Sequence, residues 1–328
     1  MRVLITGATG QVAAYLAKRL LDRGDQVLLT DRHVSYNDQR FWRLEELGIQ
    51  DDVEIVPCDL SCHESIFDTL ERIRPDHLYH LAANSSIQDT TLDELACMQV
   101  NFGITHRLLS SYRKIRPDGR FFFMGSSEQF GNATESPQTE LTAFHPRNPY
   151  GIAKAAAFEL VRYYREHWGF FCCSAISYNQ VSPLQGDTFV LRKITRGLIK
   201  ALNGGPKLKL GNLDAERDFG SVQDYTRAIV AMLDYKEATD FVLATGKTHT
   251  IRQFLDEASA ILSGLRSKFT HWEDLVKVDP TLLRAPEAVP LVGHAAKAWE
   301  LLSWVPYVSF PQLVREMVEA DWKRSDKS

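Results

Sequence analysis

Cysteine is scarce in this sequence. The five residues, Cys58, Cys62, Cys97, Cys172 and Cys173, form no Cys-x-x-Cys pair and no Cys/His spacing suited to zinc, and their number is odd. This argues against a disulfide framework and against a metal site. It points to reduced thiols serving as small core residues in a cytoplasmic protein. Charge of one sign is also lacking: Lys and Arg number 38 against 42 Asp and Glu, a formal net charge of −4. No nucleic acid or other polyanionic partner is therefore expected. No apolar run reaches the length of a membrane span, and the opening MRVLITGATG has neither the long apolar core nor the cleavage site of a signal peptide. A soluble protein with no membrane partner is expected. Internal repeats and low-complexity linkers are missing too.

What is present is a hydrophobic content of 44% in 328 residues, enough for one large domain or two packed lobes. The first 180 or so residues alternate short apolar runs with longer amphipathic segments. Strands are expected at 2–6, 26–31, 53–60, 77–83, 120–125 and 171–179. Helices are expected at 11–24, over ESIFDTLERIRP as far as Pro75, at 92–115, and after Pro149. This rhythm, with nearly continuous apolar strands, predicts an α/β fold with a doubly wound parallel, Rossmann-like sheet. After Asn179 the rhythm breaks into helices near 189–203, 222–234, 251–263 and 310–324. The stretch NGGPKLKLGNLDAERDFG and the segment 284–290 read as loops. The expected division is a dinucleotide-binding domain over 1–180 and a smaller lobe over 181–328. That lobe should cover the carboxyl edge of the sheet, where such folds bind ligands.

TGATGQVA (6–13) stands where the first strand turns into the first helix. Gly7 permits the tight turn, and Gly10 lets backbone N–H groups approach a pyrophosphate at the helix N-terminus; Ala13 replaces the third glycine. Asp31 ends the second strand at the distance where an acid binds the adenosine ribose, which favours NAD. Arg32, next to it, can instead meet a 2′-phosphate, which leaves NADP open. Asp59 can hydrogen-bond an adenine amino group or cap the next helix.

Tyr150 and Lys154 stand four apart in NPYGIAK, on one helix face. An ammonium beside a phenol lowers the phenol's pKa, so the pair can deprotonate a substrate hydroxyl, and Lys154 can also hold the nicotinamide ribose. GSSEQFG follows the strand RFFFM. There Ser126 can hydrogen-bond the oxygen that Tyr150 deprotonates, and Glu128 can remove a proton from the carbon beside a new ketone. Strand-end serines and glutamates also serve as plain caps.

With these residues in view, the chain resembles the extended short-chain dehydrogenase/reductases over nearly its whole length. TGATGQ, HLAA, SSEQFG, HPRNPYGIAK, YNQVSP, GDTFVLRKITR, GNLDAERDFG and DFVLATGKTHTIRQF most resemble GDP-mannose 4,6-dehydratases. The resemblance implies a GDP-sugar 4,6-dehydratase with NAD or NADP as cofactor. Tyr150, with Lys154 and Ser126, would oxidise C4 of the hexose. Glu128 would take the C5 proton as water leaves C6, and the electrons would return to C6. Candidate cofactor contacts are Gly7, Thr9, Gly10, Gln11, Val12, Asp31, Arg32, Asp59, Leu60, Leu81, Ala82, Ala83, Tyr150 and Lys154. Candidate substrate contacts are Ser85 and Asn179, Val190 and Lys193 at the guanine, and Arg217 and Arg284 at the diphosphate. Glu287 would hold the ribose hydroxyls or orient Arg284.

Three departures stand out. A single Arg32 replaces the family's Arg-Arg pair after the second strand. The region before VDPTLLRAPEAV is short. HLAANSSI and GSSEQFG also resemble GDP-4-keto-6-deoxymannose reductases, so a reductase or an epimerase of the same family is the alternative. A nucleotide-binding regulator without the chemistry is a third reading, and the presence of both Tyr150 and Lys154 weighs against it. The resemblance further implies a homodimer, or a tetramer, through helices near 92–115 and 150–168. In that case Ala155, Phe158 and Val161 either line the interface or pack on the sheet.

Overall fold

Seven parallel strands build the central sheet of this computed structural model, which describes residues 1–32, 39–85, 87–266, 271–283 and 290–326. Strands β1 (Arg2–Thr6), β2 (Gln26–Asp31), β3 (Glu54–Pro57), β4 (His77–His80), β5 (Arg120–Met124) and β6 (Cys172–Ser177) come from the expected first part. The remaining strands are β7 (Asn179–Val181), β8 (Leu208–Leu210), β9 (Glu216–Ser221), β10 (Phe241–Leu243), β11 (Thr248–Thr250) and β12 (Val276–Val278). The order across the sheet is β10-β6-β5-β4-β1-β2-β3, the doubly wound topology expected from sequence. Its order reverses between β1 and β4, and that gap at the carboxyl edge is where such sheets receive ligands. Strand β10, from far along the chain, forms the edge beside β6.

Helices α1 (Gln11–Asp22), α2 (Trp42–Glu46), α3 (His63–Ile73), α4 (Ile87–Leu92), α5 (Glu94–Met98), α6 (Ile104–Ile115) and α7 (Pro149–Trp168) belong to the first part. Helices α8 (Val190–Leu202), α9 (Val222–Asp234), α10 (Ile251–Leu265), α11 (Ala296–Leu302) and α12 (Phe310–Ser325) follow. The pleat explains the three phenylalanines of β5. Phe121 and Phe123 face the layer of α3, α6 and α7, while Phe122 faces that of α1 and α9. Each such burial stabilises the fold by roughly 1.5–3 kcal/mol.

Two expectations change. NGGPKLKLGNLDAERDFG is not all loop, since β8 pairs with β12 and β9 with β7 and β11. The helix expected over 92–115 begins at Glu94, capped by Asp93, and carries a π turn at Gln99–Gly103. That turn directs Asn101 inward, where it holds the backbone of Asn84 at both N–H and C=O. Strands β7, β8, β9 and β12 and helices α8, α10 and α12 enclose a separate apolar core.

Candidate active site

The chain leaves β1 through Thr6 into Gly7, whose φ of +86° suits glycine. A Cβ there would stand 3.0 Å from the backbone of Ala82, a contact tight enough to push back the chain leaving β4. Gly10 caps α1 from extended backbone and offers no side-chain acceptor to the first N–H groups of the helix. Ala13 is fully buried in the core, as a third small residue should be.

Thr6 and His80 hold this crevice in shape. The Thr6 hydroxyl accepts from the N–H groups of Leu81 and Ala82, both at 3.1 Å, and so donates its own proton to Nδ1 of His80 at 2.9 Å. His80 Nε2–H then donates to Thr105, whose hydroxyl donates to Asn101 O. Burial first, and Lys154 second, push the imidazole pKa down to about 3, so it stays neutral. A tight turn closed by glycine and a helix end open to an anion fit a dinucleotide pyrophosphate.

The other predicted cofactor residues are arranged around this turn. Thr9 O accepts from Arg43 at 2.7 Å. The Gln11 side chain donates to Gln180 O and accepts from Ser182, tying α1 to β7. Val12 and Leu81 pack on one core layer and Leu60 on the other. Ala83 is exposed beyond β4. Asp59 does not cap α3, whose N-cap is Cys62. Its carboxylate accepts from the backbone and hydroxyl of Ser61 and stands 3.7 Å from Arg32.

Asp31 pairs with Arg40 at 2.9 Å, a partner that its sequence neighbourhood did not reveal. A cavity of about 580 Å³ lined by Thr9, Gln39, Arg40, Trp42 and Arg43 opens beside it. Asp31 thus offers an acceptor to ribose hydroxyls, while Arg40 and Arg43 offer guanidinium groups to a 2′-phosphate. Steady-state kinetics with both nucleotides tests this division. Asp31→Ala is expected to raise KM for NAD far more than KM for NADP, and Arg40→Ala to do the reverse. Equal effects on both nucleotides would refute it.

Past β5, Ser126 caps the short 3₁₀ turn Ser127–Gln129. Its hydroxyl accepts from Glu128 N at 3.3 Å, and its N–H donates to Gln129 Oε1 at 2.8 Å. The cap reading is thus correct for Ser126, yet an accepting oxygen leaves its O–H free to donate. Helix α7, capped by Asn148 with Pro149 in its first turn, carries Tyr150 and Lys154 on one buried face. Lys154 Nζ donates to Met124 O at 2.7 Å and lies over the ring of Phe123.

The expected effect of Lys154 on the phenol is corrected. Burial pushes the Tyr150 pKa up, a hydrogen bond with Ser126 pulls it down, and the charge of Glu128 adds to the rise. Lys154, 5.8 Å from the Tyr150 ring centre, is itself lowered to about 7 by burial. Sequence spacing brings the two groups together, but it carries no information on depth, and desolvation dominates here.

On the substrate side, Asn179 donates to Asp218 O at 3.1 Å, joining β7 to β9. Arg217 is half-buried on β9 next to Asp218. The buried Asp218 carboxylate accepts from Thr245 and Gly246 and fixes that backbone. Val190 is exposed at the start of α8. Lys193, one turn later, lines a cleft of about 1140 Å³ with Arg192, Arg196 and Lys200. None of Ser126, Glu128, Tyr150 and Lys154 lines that cleft. Ser85 is exposed after Asn84, while Arg284 and Glu287 lie outside the described residues.

The family model described as GDP-mannose 4,6 dehydratase matches residues 4–317. GDP-mannose 4,6 dehydratase 1 of Arabidopsis thaliana is 38% identical over 336 residues, covering 97% of this chain and 89% of the relative. GDP-mannose 4,6-dehydratase of Vibrio cholerae serotype O1 is 34% identical over 350 residues, covering 98% and 94%. Among solved structures, the dTDP-glucose 4,6-dehydratase of Bacillus anthracis in complex with NAD superposes with a TM-score of 0.83 at 18% identity, covering 99% of this chain and 98% of that one. At that identity the last likeness concerns the fold.

Proposed function

This chain belongs to the GDP-mannose 4,6-dehydratase family, and from that premise we propose the roles of its residues in the dehydration of a GDP-sugar, GDP-mannose or a close relative. The enzyme is an NAD(P)-dependent lyase. The observation that carries the assignment is the meeting of Ser126, Glu128, Tyr150 and Lys154 between the end of β5 and the start of α7. Tyr150 takes the proton of the C4 hydroxyl, and Ser126 donates to the phenol oxygen and favours its ionised form. A nicotinamide dinucleotide held by the Gly7–Gly10 turn and by Lys154 would supply reversible two-electron chemistry to the sugar. Lys154 supplies a buried ammonium beside the phenol and a donor to the adjoining ribose. Glu128 takes the C5 proton, made acidic by the C4 carbonyl, and passes it to the departing C6 hydroxyl to complete the water, while C5 regains a proton from solvent as C6 is reduced and Tyr150 releases to solvent the proton it took. Arg217 and Arg284 bind the diphosphate, and Lys193 and Val190 the guanine, with Asn179 and Ser85 beside the sugar. Conversion of GDP-mannose with less cofactor than substrate tests the reading. Loss of water from most of the substrate supports it, and no loss removes GDP-mannose as the sugar.

Among the described residues no helix is long and apolar enough to cross a membrane. All five thiols are free, and four of them are buried, which suits a cytoplasmic setting. We also assign a homodimer. Phe158 and Val161 pack in the core, so they are not its surface. Instead Ile152 and Tyr163 share the outer face of α7, and Leu95 on α5 beside it is 79% exposed. Covering apolar groups so presented favours association. Sedimentation should give twice the chain mass, reduced to the monomer by Ile152→Glu. A monomer at micromolar concentration would contradict the assignment.

A further inference from the structure

We infer that Asn148 is a positioning residue for Glu128, fixing its carboxylate plane to the first turn of the helix that carries Tyr150 and Lys154. The inference rests on the assignment of Glu128 as the group that takes the C5 proton. Asn148 Nδ2 donates to Glu128 Oε2 at 2.7 Å, and Asn148 Oδ1 accepts from Gly151 N at 2.8 Å. The orientation of the amide follows from its partners: a carboxylate accepts and a backbone N–H donates, so a flipped amide would satisfy neither.

The main chain is gripped at the same place. A Cβ on Gly151 would lie 2.4 Å from Glu128 O, so only glycine lets the first turn of α7 rest on this backbone. Glu128 is therefore held through both its main chain and one carboxylate oxygen. The terminal torsion of a glutamate is broad and leaves the carboxylate plane free to turn. The hydrogen bond to Oε2 removes that freedom and presents Oε1, which makes no hydrogen bond among the described residues, as the atom to receive the proton. Proton transfer is sensitive to such placement: a misplacement of about 1 Å costs about 10²-fold.

Two substitutions separate this role from helix capping. Asn148→Thr keeps a cap acceptor and has no amide donor to reach Glu128. Asn148→Ser keeps the cap and is too short to reach Glu128. Each variant is given GDP-mannose and cofactor in D₂O, following the transient reduced cofactor, the deuterium entering C5 of the product and the unfolding temperature. Both variants should keep their unfolding temperature and their rate of C4 oxidation. Deuterium entry at C5 should slow by about 10–10²-fold, so that reduced cofactor accumulates. An unchanged rate at C5, or equal losses in C4 oxidation and C5 exchange, would overturn the inference. Glu128→Gln in the same assay keeps the two levels apart. Undiminished exchange in that variant would remove the assignment of Glu128 itself. Loss of exchange there, with none in the Asn148 variants, would remove only the role of Asn148.

Discussion

Tyr150→Phe is expected to lower kcat/KM for GDP-mannose by about 10³-fold, within the range typical of a lost general base, while the affinity for GDP-mannose changes little. In the proposed roles the phenol takes the C4 hydroxyl proton, and without that step no later one can occur. The pH dependence follows from the two shifts. Burial raises the phenol well above its ordinary value and lowers Lys154 to about 7. The active pair, tyrosinate with ammonium, holds as many protons as phenol with neutral amine. Its share is therefore independent of pH above about 7 and falls below that, as the amine gains a proton and the phenol keeps its own. For the parent, kcat/KM should thus rise with pH up to about 7 and then level, and Tyr150→Phe should abolish the rise. A variant that keeps both the parent rate and the parent profile would remove Tyr150 as the base.

Glu128→Gln should separate the two halves of the reaction. C4 oxidation is expected to stay within a few-fold of the parent, while water loss slows by about 10²–10⁴-fold, the usual share of a general base. The near-isosteric amide retains an oxygen that can accept from Asn148, so the first turn of α7 stays in place. Stopped-flow absorbance should show reduced cofactor formed and held, with little dehydrated product by mass spectrometry. Product formation at the parent rate would exclude Glu128 from the step.

Much of this was legible in the residues because it is local. The glycine turn follows from backbone conformation, the two-faced packing of Phe121–Phe123 from the pleat, and the shared face of Tyr150 and Lys154 from the helical period. Features set by tertiary pairing were not legible. Strands β8 and β9 lie in a Gly- and Lys-bearing stretch and exist because β12, β7 and β11 supply their partners. Strand β10 completes the sheet from far along the chain for the same reason. A helix after Pro149 was expected, but only the folded chain brings the Asn148 amide to Glu128. Likewise no spacing rule encodes the meeting of Arg40 with Asp31. Burial, too, decides the sign of the Tyr150 shift, and spacing does not report it.

Following a label through the sugar tests the central claim most directly. GDP-mannose carrying deuterium at C4 is incubated in ordinary water with the protein and a catalytic amount of NADP or NAD. The account predicts a product one water lighter, with the deuterium now at C6 and no net reduced cofactor. Deuterium retained at C4, or lost to the solvent or to accumulated reduced cofactor, would contradict a recycling 4,6-dehydratase.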